Sequence, residues 1–106
     1  MLVEKQFKKD DIITLKLTPS TEELVAKYVS ETDDYYVIAK PAMVTPQGEG
    51  LGLMQYMFTA DGDAEFKLSK QRVLMSAPTE PNFKSHYIQM TTGIATAPKN
   101  SSIITS

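Results

Sequence analysis

Apolar and polar positions alternate with a period of two along much of the chain and recur at helical spacing only near its end. In residues 11–18, Ile13, Leu15 and Leu17 share one face while Thr14 and Lys16 share the other, which predicts a half-buried strand. Residues 19–32 read two ways. Ser20 and Glu23 have capping-box spacing, and Leu24, Val25, Tyr28 and Val29 recur at helical intervals. As a strand, the same stretch sets Leu24, Ala26 and Tyr28 against Val25, Lys27 and Val29, ahead of a polar Glu-Thr-Asp-Asp turn. Residues 35–39 are apolar on both faces, as in a central strand or one lying against another subunit, and the pattern stops near Pro41.

Residues 45–52 turn to Pro, Gln, Gly and Glu, the composition of a flexible loop and the best placed segment for a functional projection. Residues 53–59 and 64–68 read as two strands of a hairpin about Asp61-Gly62. A second turn at 69–71 leads to a last strand at 72–77, before Pro78 and Pro81 interrupt pairing. Phe83, Tyr87, Met90 and Ile94 then follow at steps of four, three and four, with Pro81 suited to a first helical turn and Gly93 to a C-cap. Residues 96–106 are small and polar apart from Ile103 and Ile104 and read as a flexible tail, which leaves residues 1–95 as one mostly β domain with a C-terminal helix.

Composition narrows the function classes. A chain of 106 residues buries only about 60 to 70% of its unfolded surface, so self-association is an expected source of stability. The absence of cysteine excludes disulfides and thiolate chemistry and fits a reducing, cytoplasmic compartment. No apolar run has the length of a signal peptide or a bilayer span, so neither export nor membrane insertion is expected. Thirteen acidic residues against eleven basic ones give a net charge of -2, unlike the basic excess of general nucleic-acid binders. A ring can nevertheless concentrate a few repeated lysines on one rim.

Candidate chemistry is sparse. His86, the single histidine, has only Ser85 beside it, and Glu31, Asp33 and Asp34 form a polar turn without a companion acid or base. Asp61-Gly62-Asp63 lacks the further oxygen ligands of a calcium loop, and Gly48-Glu49-Gly50-Leu51-Gly52 lacks the lysine of a phosphate loop. No catalytic residue, metal or cofactor is therefore expected. Met54, Tyr56, Phe58, Val73 and Met75 are candidate subunit-contact residues, and Lys70 and Arg72 a candidate anion-contacting patch.

The run Asp-Ile-Ile-Thr-Leu-Lys-Leu, followed by Glu-Leu-Val-Ala-Lys-Tyr-Val-Ser-Glu-Thr-Asp-Asp-Tyr-Tyr-Val-Ile-Ala, resembles the first motif of Sm-like proteins, with two long bent strands about an Asp-containing loop. This favours strand over helix for residues 22–31. Phe-Lys-Leu-Ser-Lys-Gln-Arg-Val-Leu-Met-Ser is similar to the second motif, in which a tight basic turn joins the last two strands. Asp-Asp-Tyr-Tyr-Val-Ile-Ala-Lys-Pro, Gly-Leu-Gly-Leu-Met, Thr-Ala-Asp and Tyr-Ile-Gln-Met-Thr-Thr-Gly-Ile further resemble small Sm-like proteins of tailed phages of marine bacteria, cyanophages among them.

The resemblance implies a strongly bent, five-stranded small barrel, a homo-oligomeric ring of about five to seven subunits joined edge to edge, and residence in the host bacterial cytoplasm. It further implies single-stranded RNA as a ligand, with Tyr35, Lys70 and Arg72 as contact residues. Val37 stands where the family has an RNA-contacting asparagine, and Ser69-Lys70 replaces an Arg-Gly pair. The alternative is a structural or adaptor ring that docks another protein without nucleic acid.

Overall fold

The computed structural model describes residues 6–92. Six strands precede one helix: β1 (Ile12–Leu17), β2 (Glu23–Glu31), β3 (Tyr35–Gln47), β4 (Gly50–Gln55), β5 (Glu65–Ser69), β6 (Val73–Pro78) and α1 (Pro81–Thr92), with a 3-10 turn at Lys70–Arg72 between β5 and β6. All pairings are antiparallel, in the order β4-β3-β2-β1-β6, and β5 also pairs with β3. The sheet is not closed, because no pairing joins β5 to β6. The mostly β architecture with a C-terminal helix is thus as the sequence predicts, but an open six-stranded sheet stands where a strongly bent five-stranded barrel was expected.

Residues 23–31, ambiguous in isolation, form β2 because both flanks are paired, Leu24 with Leu15 and Met43, and Val25 with Thr14 and Ala42. Tertiary pairing overrides a local helical pattern that is worth only tenths of a kcal/mol per residue (about 0.7 at most).

β3 does not stop at Pro41. It runs on to Gln47, and its outer edge changes partner on the way, with residues 35–39 pairing with β5 and residues 42–47 with β4. At the change, Lys40 takes a left-handed φ of 50° and the β2–β3 register slips between Val25 and Lys27. This is a bulge, where an amide-free proline can be tolerated inside a strand.

The expected loop at 45–52 is instead a tight hairpin. Gln47 pairs with Gly50, and Gly48 supplies the positive φ of 60° that the two-residue turn requires. The hairpin expected about Asp61-Gly62 does not form, because β4 and β5 both pair with β3 rather than with each other.

Both sheet faces are covered, at least in part. On one, Phe7, Ile13, Leu15, Ala26, Tyr28 and Ile38 form a buried cluster flanked by Tyr36, Phe66, Leu68 and Val73. On the other, α1 places Tyr87 against Ile12, Val25, Ala42 and Leu53, with Phe83 and Val44 at the margin. The helix starts where predicted: Pro81 opens it and the Glu80 carboxylate accepts a hydrogen bond from the Phe83 amide at 3.0 Å. Of the predicted apolar stripe, Tyr87 is buried, Phe83 half-buried and Met90 exposed, while Ile94 and the 96–106 tail lie outside the described residues.

Candidate functional site

Period-two geometry sorts the residues around the β2–β3 turn. On β5, Phe66 and Leu68 point into the core cluster, so Glu65, Lys67 and Ser69 face the other way. Their partners on β3 are Ala39, Val37 and Tyr35, and paired residues share a face. Tyr35 therefore stands on the face of Lys67, whose Nζ lies 5.1 Å above its ring. This is cation–π geometry.

Lys70 belongs to the opposite face. Its Nζ lies 5.1 Å over the Tyr36 ring and donates to Glu31 Oε2 at 2.6 Å. Glu31 Oε1 accepts from the Tyr28 hydroxyl at 2.8 Å, while the Lys70 amide donates to Asp34 O at 2.9 Å. The side chains of Lys70 and Glu31 are only 29% and 16% exposed, so this is a half-buried linkage tying the 3-10 turn to the β2–β3 turn. The three candidate RNA-contact residues thus do not form one cluster. Tyr35 lies on one face with Lys67, Lys70 is engaged on the other, and Arg72 is exposed and forms no ion pair among the described residues.

Lys67 was missed by sequence reasoning, although the alternation Glu65-Phe66-Lys67-Leu68 places it opposite the core residues. No pattern in the chain foretells the Tyr28–Glu31–Lys70 linkage, since it joins groups 39 residues apart.

The candidate contact residues are dispersed as well. Phe58 and Met75 are 71% and 63% exposed, and Met54 40%, with Leu74 and Leu51 adding 59% and 60% that the sequence did not single out. Val73 instead packs against the core cluster, and the Tyr56 hydroxyl donates to Glu22 Oε1 at 3.0 Å. His86 is exposed and meets the Phe83 ring edge-on at 6.5 Å. Asp63 pairs with Lys40 at 3.8 Å, and no group of acidic or histidine side chains suited to a metal ion occurs among the described residues. No described helix is long and apolar enough to cross a membrane.

Three tyrosines carry raised pKa values, each beside a carboxylate or in the core. Burial, then the hydrogen bond to Glu31, pushes Tyr28 up to about 12; the bond to Glu22 raises Tyr56, and burial raises Tyr87. A phenol whose folded pKa exceeds its unfolded value of about 10 contributes stability that is fully present below pH 10 and is lost as pH rises through the folded value. Thermal melts are therefore expected to be insensitive to these groups up to about pH 10 and to fall steeply towards pH 12. Tyr28→Phe should flatten the fall between those limits; an unchanged profile would show that Tyr28 ionises as freely in the folded state as in the unfolded one.

The fold and these contacts define a small antiparallel β domain with strand edges that are unpaired among the described residues and carry exposed apolar side chains. The chain matches no protein-family model, no curated protein and no solved structure.

Proposed function

We propose that the domain is an Sm-like subunit of a homo-oligomeric ring of about five to seven copies, acting by binding and not by catalysis. The observation that carries this reading is the position of β5 and β6. They hold opposite flanks of the sheet, their outer edges are unpaired among the described residues, and only the Lys70–Arg72 turn separates them in sequence. Joining β5 of one copy to β6 of the next pairs both edges at once and covers Leu74 and Met75.

Three further features support the Sm-like frame: long β2 and β3 about an Asp-containing turn, a bulged β2–β3 register, and a tight basic turn before the last strand. The Tyr36 hydroxyl on β3 also comes within 3.4 Å of Ser76 on β6, which supports a bend bringing the flanks together. A phage origin and the host cytoplasm as its setting belong to the same reading.

Native mass spectrometry tests it: a single closed oligomer is expected, and Leu74→Lys should break it into smaller species. A wild-type chain that remains monomeric at high concentration overturns the ring.

Two ligands compete for the rim. Exposed Phe58 and the engagement of Lys70 favour a protein partner, whereas the Tyr35–Lys67 pair with Arg72 favours stacking and phosphate contacts to single-stranded RNA. Titration of labelled uridine-rich RNA at low and high salt separates them. Binding that weakens with salt and is lost in Lys67→Ala/Arg72→Ala supports RNA; no binding at low salt leaves the adaptor.

A further inference from the structure

The outer edge of β4 has no role in the proposed ring and lacks the features by which sheet edges resist pairing. Its sequence, Gly-Leu-Gly-Leu-Met-Gln, holds no charge and no proline, whereas β5 presents Glu65 and Lys67. Leu51 on this strand is 60% exposed and Met54 40%.

The hydrogen-bonding sense of the edge follows from the hairpin. Gln47 and Gly50 close a two-residue turn, and the Tyr56 amide donates to Pro41 O at 3.2 Å. Closing pairs of such turns are hydrogen-bonded, and bonded pairs then alternate. Gly50, Gly52 and Met54 thus direct their backbone groups towards β3, and Leu51, Leu53 and Gln55 direct theirs outward.

We propose that this edge pairs with the β4 of a second copy of the chain, antiparallel about a two-fold axis at Leu53. This register places Leu53 opposite its own copy and Leu51 opposite Gln55, so every outward residue exchanges its hydrogen bonds. Residues of one parity then meet residues of the same parity, which keeps each copy's helix-covered face on the same side of the joined sheet. Leu51 gains the second copy's Leu53 as a diagonal neighbour, and Met54 lies opposite the second copy's Gly52, over which that copy's own Gln47 side chain folds. Glu49, the nearest acidic group in sequence, falls opposite the second copy's Met57, so like charges do not meet. A self-complementary, uncharged edge fits a second copy better than a foreign peptide, which would need no such symmetry.

One short edge buries less than the roughly 800 Å² per partner of a standard stable interface, so the contact is concentration-dependent. Sedimentation equilibrium and amide exchange from about 10 μM to about 1 mM cover the range in which such contacts titrate. The mass is expected to double across that range, with the Leu51, Leu53 and Gln55 amides slowing by roughly tenfold as it does. Leu51→Lys, at an exposed position that leaves the core intact, should abolish both effects while the melting curve stays unchanged.

The doubling should persist in Leu74→Lys, which removes only the β6 contact of the proposed ring; a chain that dimerises without forming rings would sink the ring alone. A mass unaltered by Leu51→Lys overturns the β4 pairing. Rapid exchange of the three outward amides at all concentrations, or their slowing only when another protein is added, overturns it too.

Discussion

Replacing Tyr87 by alanine is expected to lower stability by about 3–5 kcal/mol, a large part of the 5–15 kcal/mol that holds a domain of this size together. Tyr87 is 1% exposed and is the side chain by which α1 enters the sheet. Its hydroxyl carries a separate share. It donates to Lys40 O at 2.7 Å, with Ala39 O at 3.3 Å, and these carbonyls sit at the bulge where β3 changes partner. Lys40 stands outside both ladders there, so without the phenol its half-buried carbonyl would lose this donor.

Tyr87→Phe keeps the ring and removes only that donor, which should cost about 1–3 kcal/mol, or a fall in Tm of roughly 4 °C or more. Chemical denaturation of both variants measures the two shares. A phenylalanine variant as stable as wild type would mean that the bulge carbonyls are satisfied some other way.

Lys70→Ala is expected to cost about 2 kcal/mol, less than a fully buried pair because both side chains retain some exposure. The loss comes mainly from Glu31, whose carboxylate stays in place, largely shielded from water, and no longer receives the Lys70 ammonium. Glu31→Gln combined with Lys70→Ala should therefore be more stable than Lys70→Ala alone. Equal stabilities would assign the effect to the Lys70 stem over the Tyr36 ring rather than to charge. This residue is also a poor probe of RNA binding, because any loss of binding would be mixed with a loss of fold. Lys67 and Arg72 are cleaner probes, since both are exposed and neither is paired with a carboxylate among the described residues.

Local pattern foretold the elements whose signal is local. β1 alternates cleanly because one of its faces packs into the core, and α1 begins at Pro81 because proline suits a first turn and Glu80 can cap it. The last strand and the tight basic turn before it were legible for the same reason. At 45–52 the glycines were read as a loop, yet a glycine with positive φ is also what a two-residue hairpin needs. Which of the two forms depends on whether a strand follows in register, and that is a pairing property.

Of the candidate site, Tyr35, Lys70 and Arg72 all lie near the two turns where the sequence placed them, but which face each occupies was not legible. A side chain's face depends on register, and a shift of one residue reverses it. The same holds for Lys40, whose left-handed backbone arises where one strand must serve two partners.

The amino-acid order was thus enough to specify a mostly β chain with a C-terminal helix and no cysteine chemistry, since these follow from residue type and short-range periodicity. The strand order, the open sheet, the division of β3 between β4 and β5, the Glu31–Lys70 linkage and the position of β4 at a sheet edge were decided only by tertiary structure. They arise from backbone hydrogen bonds between distant segments, which are the same for every residue type and leave no local trace in the sequence.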